Sequence, residues 1–321
     1  MGSHILGIDL GGTKVQAALL DESGLIIGRG RAKTEAWRED EEVFQTIVEV
    51  GREALREGGI DRSELSSLGI GSPGPLDPDR GYIVSSSNLK FRNFPLGPRL
   101  SEEFGCPASV ENDVSSGTYG EFRAGAARGA SDVLGMFIGT GIGGGIVIGG
   151  KLYRGFSKNA AEVGHIIVEV EGPRCGCGAR GCLEAFGSRT GMTRQIRKAI
   201  SKGRNTSVAK KLKKDTDSLS GSDFRDAYDE GDDLVVKVVC RAAKMIGLGL
   251  GSIANVLGPE IVVLGGGVIE AMPDEFIDRI SRFARSIPVG FDPKDLKIVR
   301  AALGDDAGVI GAALLAKEKF G

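Results

Sequence analysis

Histidine occurs only twice in this chain and tryptophan once. Positive charge is not in excess: 41 Lys and Arg stand against 43 Asp and Glu, a formal net charge of −2. Such a chain has no basic surplus with which to release counterions from a nucleic-acid backbone. No apolar stretch reaches the roughly 18 residues that span a bilayer. Met1-Gly2-Ser3-His4 runs straight into a strand-like segment, with no room for a signal peptide, and Leu6 stands where a myristoylation signal needs Ser or Thr. No Pro/Ser-rich or charged linker divides the chain, so hinged halves are expected rather than independent domains. These absences point to a cytoplasmic globular protein with no nucleic-acid and no membrane partner.

What the chain has in surplus is glycine, 51 of 321 residues, more than twice the usual share. The glycines punctuate apolar runs. His4–Leu10, Val15–Leu20 and Leu25–Gly30, separated by Gly11-Gly12-Thr13-Lys14 and Ser23-Gly24, read as an antiparallel meander. Helical spacing of Val43, Ile47, Val50 and Leu55 predicts a helix from Glu41 to Glu57, stopped by Gly58-Gly59. A short strand, Leu68–Gly71, enters the rigid turn Ser72-Pro73-Gly74-Pro75, and strand Ala108–Val110 precedes a helix over Val114–Arg123. Then the pattern restarts: strand Val133–Ile138, glycine loop Gly139–Gly145, strand Ile146–Ile148. Helix Leu234–Val256, strand Glu260–Leu264, Gly265-Gly266-Gly267, helix Pro273–Arg285, strand Lys297–Arg300 and helix Ala307–Lys317 follow. Two copies of strand, glycine hairpin, strand and α/β elements indicate an internal duplication. Ser201–Asp233 reads as surface helices and loops without function.

Asp9-Leu10-Gly11-Gly12-Thr13-Lys14 lies between two strands. Consecutive N–H groups free of Cβ atoms can wrap phosphate oxygens, Thr13 adds a hydroxyl, Lys14 a charge, and Asp9 suits Mg2+. By itself the segment serves equally well as a tight turn. Gly139, Gly141 and Gly144 form a G-x-G-x-x-G, but a strand follows where a dinucleotide site needs a helix, and no Gly-Lys-Ser/Thr makes it a Walker loop. Gly265-Gly266-Gly267 suits a contact with adenosine or a plain βα turn.

Five cysteines are an odd number for a disulfide framework, and Cys175, Cys177 and Cys182 crowd into eight residues, leaving Cys106 and Cys240 alone. With His165 they provide the tetrahedral donor set of a closed, structural Zn2+ site. Glu162 and Glu184 flank this loop. Glu111-Asn112-Asp113 sits at a strand-to-helix junction, where Asp113 is either a general base or simply a helix cap.

In this order, Asp9–Lys14, Gly71–Pro75, Glu111–Asp113, Gly139–Gly145, Glu162-Val163-Gly164-His165 and Cys175-Gly176-Cys177-Gly178-Ala179-Arg180-Gly181-Cys182-Leu183-Glu184 closely resemble the ROK family of sugar kinases and sugar-responsive repressors. The resemblance implies an α/β fold of the actin/hexokinase type (ribonuclease H-like), two domains with an interdomain cleft. These would be residues 1–114 plus 303–321, and 115–302 with the zinc loop. It implies Asp113 as general base and Gly74, Asn112, Glu162, His165 and Glu184 as sugar contacts, with Asn88 as a further one. It implies Gly11, Gly12, Thr13, Lys14, Gly139, Thr140, Gly141 and Gly143 on the triphosphate of ATP, with Mg2+ near Asp9. The expected reaction is phosphorylation of a hexose at its C6 hydroxyl, with glucose favoured. N-acetylmannosamine, N-acetylglucosamine, fructose or mannose remain alternatives, and so does polyphosphate or ADP as donor. Repressors of the family carry an N-terminal winged helix, for which eight residues before Asp9 leave no place. A non-catalytic sugar-sensing regulator is the remaining rival, and a homodimer or homotetramer is the implied assembly.

Overall fold

The computed structural model describes residues 3–35, 37–86, 89–213, 218–287, 289 and 292–321. Asn88 lies outside them. Strands β1 (His4–Leu10), β2 (Lys14–Leu20) and β3 (Ile26–Lys33) form the expected meander, with Ile8 opposite Ala17 and Ala17 opposite Gly30. Helix α1 (Asp40–Gly58) starts at a capping box in which Glu39 and Glu42 satisfy each other's N–H groups, and stops at Gly59 with φ 68°. Its buried stripe includes Val43, Phe44, Ile47 and Val48. Strand β4 (Leu65–Ser72) leads through the short strands β5 (Leu76–Asp77), β6 (Tyr82–Ser85) and β7 (Arg92–Phe94) to α2 (Leu96–Phe104). Strand β8 (Ala108–Asn112) then passes directly into α3 (Asp113–Ala124).

The chain continues through β9 (Val133–Ile138), β10 (Ile142–Ile148) and β11 (Lys151–Leu152). Next come α4 (Leu183–Gly187), α5 (Arg189–Ile200), α6 (Gly221–Asp229) and the 25-residue α7 (Asp233–Leu257). Strand β12 (Ile261–Gly265), α8 (Gly267–Ala271), α9 (Asp274–Ala284), β13 (Lys297–Arg300) and α10 (Ala307–Phe320) complete the chain.

Two compact units result: Met1–Ser131 with Gly145–Ala161 and Asp305–Gly321, and Asp132–Gly144 with Glu162–Gly304. The first is built on a sheet in the order β3-β2-β1-β4-β8, where β1, β4 and β8 are parallel. Leu6, Ile8, Leu68 and Ile70 are wholly buried with Ile47 of α1 and Phe91. Each such side chain contributes roughly 1.5–3 kcal/mol by leaving water. Helix α10 lies so close to this sheet that a Cβ on Gly7 would stand 2.0 Å from the Val309 carbonyl oxygen. A division at 114/115 would cut α3, whereas the first unit keeps that helix whole and extends to residue 131.

In the second unit β9, β12 and β13 are parallel, with Leu134 beside Val262 and Val262 beside Ile298. The sheet of this unit has the order β10-β9-β12-β13, with β10 represented by residues 142–144. One expectation needs correction here. Gly143, Gly144 and Gly145 are strand, not loop, because β10 begins at Ile142. At Gly145 the reason is packing, since a Cβ there would lie 2.3 Å from the Thr118 hydroxyl of α3.

Candidate active site

In the first unit, Asp9 is the penultimate residue of β1, and the hairpin Gly11–Thr13 follows Leu10 at once. The Gly11 N–H donates to the Lys14 carbonyl at 2.9 Å. From outside, the buried Thr34 donates its hydroxyl to the Gly11 carbonyl at 2.6 Å and its N–H to the Thr13 carbonyl at 3.0 Å. Lys14 Nζ pairs with Asp305 at 2.6 Å. Burial, and next the neighbouring Asp113, push the Asp9 carboxyl up to about 7 against the pull of Lys14. A group of three carboxylates and one ammonium is thus assembled from β1, β2, α3 and the turn before α10, a fit for a hard divalent cation. Thr34 and Asp305 carry no motif, and sequence reasoning did not find them.

At the end of β8, Ser72 of β4 lies beside Asn112. Helix α3 is capped by Asn112, whose Oδ1 accepts the Ser115 N–H at 3.0 Å. Asp113 is therefore not the cap. Its Oδ1 accepts from the Asn112 amide at 3.0 Å and from the Val114 N–H at 2.9 Å, which orients the carboxylate. Glu111, itself buried, pairs with the partly exposed Arg154 and accepts the Asn112 N–H at 3.0 Å. Gly74 begins a turn clamped by Asn159, whose Oδ1 accepts the Leu76 N–H at 3.0 Å and whose amide donates to the Leu76 carbonyl at 3.3 Å. Asn159 lies 85 positions downstream of Gly74, beyond the reach of any local pattern.

In the second unit the turn from β9 to β10 is closed by the Gly139 N–H donating to the Gly141 carbonyl at 2.9 Å. Two side chains brace it. Glu184 Oε2 accepts the Ile142 N–H at 3.0 Å, and a Cβ on Gly141 would stand 2.5 Å from that oxygen, so glycine is the residue that admits the carboxylate. Arg189 donates its N–H to the Gly139 carbonyl at 2.9 Å and its Nη2 to the Thr140 hydroxyl at 2.7 Å. Among the described residues the buried Arg189 Nε has no hydrogen-bond partner, a costly state for a charged group. Arg189 was another residue that sequence reasoning missed. Gly265-Gly266-Gly267 closes β12 beside the same turn: Gly266, at φ +87°, abuts the Ile138 carbonyl oxygen at the end of β9.

His165, Cys175, Cys177 and Cys182 offer donor atoms that all lie within 4.8 Å of one another. Three thiols and one imidazole at that range fit Zn2+, which prefers four soft or borderline donors. His165 turns Nδ1 toward Cys175 Sγ at 3.8 Å, so Nε2 faces the other way, 3.9 Å from Glu162. Burial pushes the Cys175 thiol up to about 12, whereas a backbone hydrogen bond from Ala179 pulls the exposed Cys177 below the ordinary thiol value. Metal loading must therefore displace a proton from Cys175. Cys175 Sγ also lies 3.5 Å from Glu184 Oε1. One carboxylate thereby joins the thiol cluster to the glycine turn.

The known proteins agree with this architecture. The chain matches the ROK family over residues 5–319. The glucokinase of Halalkalibacterium halodurans is 34% identical over 317 residues, covering 98% of this chain and 95% of that protein. Among solved structures, the ROK hexokinase from Thermus thermophilus has a TM-score of 0.83 at 32% identity, with 98% of both chains covered. The ROK family glucokinase from Streptomyces griseus, in complex with glucose and AMPPNP, has a TM-score of 0.81 at 32% identity, covering 98% of this chain and 99% of that one. The α/β fold is accordingly of the actin/hexokinase type. From end to end, this chain belongs to the ROK family.

Proposed function

We propose that this protein is an ATP-dependent hexose kinase that converts glucose to glucose 6-phosphate. The observation that carries the reading is Asp113, which is oriented by two donors on one carboxylate oxygen and leaves the helix cap to Asn112. A carboxylate held so firmly is suited to accept a proton in a defined direction.

The C6 oxygen attacks the γ-phosphorus in line as the bond to the β–γ bridging oxygen breaks. The hydroxyl proton passes to Asp113 and ADP leaves. Asn112, Gly74, Glu162, Glu184 and the Nε2 side of His165 bind sugar hydroxyls, with Asn88 as a further contact. Gly11, Gly12, Thr13 and Lys14 bind phosphate oxygens, as do Gly139, Thr140, Gly141 and Gly143. Gly265–Gly267 borders the adenosine. Arg189 adds a guanidinium beside Thr140, placing a positive charge at the turn that receives the phosphates. Asp9, with Asp305 near it, would hold Mg2+, which would supply charge neutralisation for the transferring phosphoryl group. His165, Cys175, Cys177 and Cys182 would hold a structural Zn2+ that cross-links the loop carrying the sugar contacts. The enzyme works in the cytoplasm, where ATP and free hexose meet, and assembles as a homodimer or homotetramer. No helix among the described residues is long and apolar enough to cross a membrane.

A coupled assay for ADP across glucose, mannose, fructose and the 2-acetamido sugars tests the reading. Glucose is expected to give the highest kcat/KM. A higher value with N-acetylmannosamine moves the substrate within the kinase class. Sugar binding without any phosphosugar removes the kinase and leaves a regulator. Light scattering on the eluting protein tests the assembly.

A further inference from the structure

The second unit holds a cavity of about 820 Å3 whose walls carry eight cations and two carboxylates. This is out of keeping with a chain of net charge −2. None of the residues given above as phosphate, sugar or zinc contacts lines it.

Three separate elements bring like charges face to face there. On the thiol-bearing loop, Arg174 and Arg180 are direct partners in an antiparallel bridge, a placement that sets both side chains on one face and repels. Helix α5 presents Arg194 and Lys198 at i, i+4, and Lys202 and Arg204 follow just beyond its end. Helix α7 presents Lys237 and Arg241, again at i, i+4. Like charges at that spacing destabilise a helix. Only Arg241 is relieved, by Glu169 at 2.7 Å. The other seven have no ion-pair partner among the described residues. Some cations elsewhere are paired, as Arg99 is with Glu41 and Lys211 with Asp223; what sets this cavity apart is that these seven unpaired ones line it together. Leu234, Val238 and Ala185 supply apolar lining in the same cavity.

The geometry points to a binding site for a small molecule that carries at least two phosphate groups. Guanidinium forks and ammonium groups from three elements match separate phosphates, and the apolar lining accepts a compact carbon skeleton between them. The volume suits a metabolite rather than a single ion. Because Arg174 and Arg180 sit next to Cys175 and between Cys177 and Cys182, an occupant also ties down the loop that carries the proposed sugar contacts.

Calorimetric titration of the zinc-loaded protein decides this, with saturating AMPPNP and Mg2+ present to fill the nucleotide loops. The probes are orthophosphate, inorganic tripolyphosphate and fructose 1,6-bisphosphate, at two salt concentrations. The expected result is one tripolyphosphate or bisphosphate per chain, bound about tenfold or more tightly than orthophosphate, with affinity falling steeply as salt rises. Which of the two binds better tells an inorganic chain from a sugar bisphosphate. Arg194→Gln with Lys198→Gln should weaken binding about tenfold or more while glucose phosphorylation without the probe stays unchanged. Arg174→Gln with Arg180→Gln should do the same to binding, and provides the test should the first pair fail to fold. The inference is overturned if no probe binds, or if the folded variants bind as the parent does. It is also overturned if a 20-residue thymidine oligonucleotide binds more tightly than tripolyphosphate, which would make the cavity part of an extended polyanion surface.

Discussion

The two glycine turns, one in each unit, share a strand–glycine–strand grammar and differ in what stands behind them. The first is surrounded by formal charge: Asp9, Lys14, Asp305 and Asp113 crowd its base, and a neutral side chain, Thr34, holds its carbonyls. The second contains no charged residue. It borrows charge from two residues far along the chain, Glu184 on its N–H side and Arg189 on its carbonyl and hydroxyl side. The duplicated motif thus supplies the same backbone cradle twice, while the chemistry is distributed unequally. The first unit carries the proposed base and the proposed cation ligands, and the second carries Glu184, which lies against the Cys175 thiol.

That contrast is most exposed to a change in the first unit. Asp113→Asn should lower kcat by about 10^3-fold, within the span of general-base effects, while the melting temperature stays near the parent's. Near-native turnover would end the assignment. In the second unit, Glu184→Ala removes a brace and a proposed sugar contact together. Both KM values should rise and kcat/KM should fall about 10- to 100-fold, and a change confined to ATP would show that Glu184 serves the turn alone. Removing zinc with a chelator, or Cys177→Ser, should lower the melting temperature by several degrees and raise the KM for glucose. Because the Cys175 proton must be displaced, zinc retention should weaken as pH falls, and a pH-independent zinc content would contradict the site.

Smaller effects sharpen the comparison. Arg189→Ala should raise the KM for ATP by about 3- to 10-fold and leave the KM for glucose in place, because it removes one charged hydrogen-bonding group from the turn proposed to hold the nucleotide. Asp9 bears on stability. Its folded pKa of about 7 lies above the unfolded value of 3.8, so the folded chain holds a proton that the unfolded chain has already released. Stability should therefore fall as pH rises from about 4 to about 7 and level off above, by a few kcal/mol at most. Denaturant titrations of parent and Asp9→Asn should show that the variant lacks this decline. An identical pH profile in both would place the raised pKa elsewhere.

Much of the architecture was legible because apolar runs and glycines mark it. The meander, the helix ending at Gly58-Gly59 and the strands at 133, 261 and 297 came from alternation, helical spacing and turn residues. The start of β10 was misread, since three successive glycines look like a loop until Thr118 is seen where a side chain at Gly145 would stand. The position of Asp113 at a strand-to-helix junction was equally plain, but cap and base were indistinguishable until Asn112 was seen to make the cap bond.

The amino-acid order alone determined the inventory: two glycine turns, one thiol cluster and a handful of carboxylates at strand ends, because each is written within a dozen neighbouring residues. Only the tertiary structure decided which of these act together. Asp305 reaches Lys14 across 291 positions, Asn159 reaches Leu76 across 83 and Arg189 reaches Thr140 across 49. The eight cations around one cavity come from separate stretches of chain. Hydrogen bonds and repulsions act over a few ångströms of space, and the fold, not the distance along the chain, sets that separation.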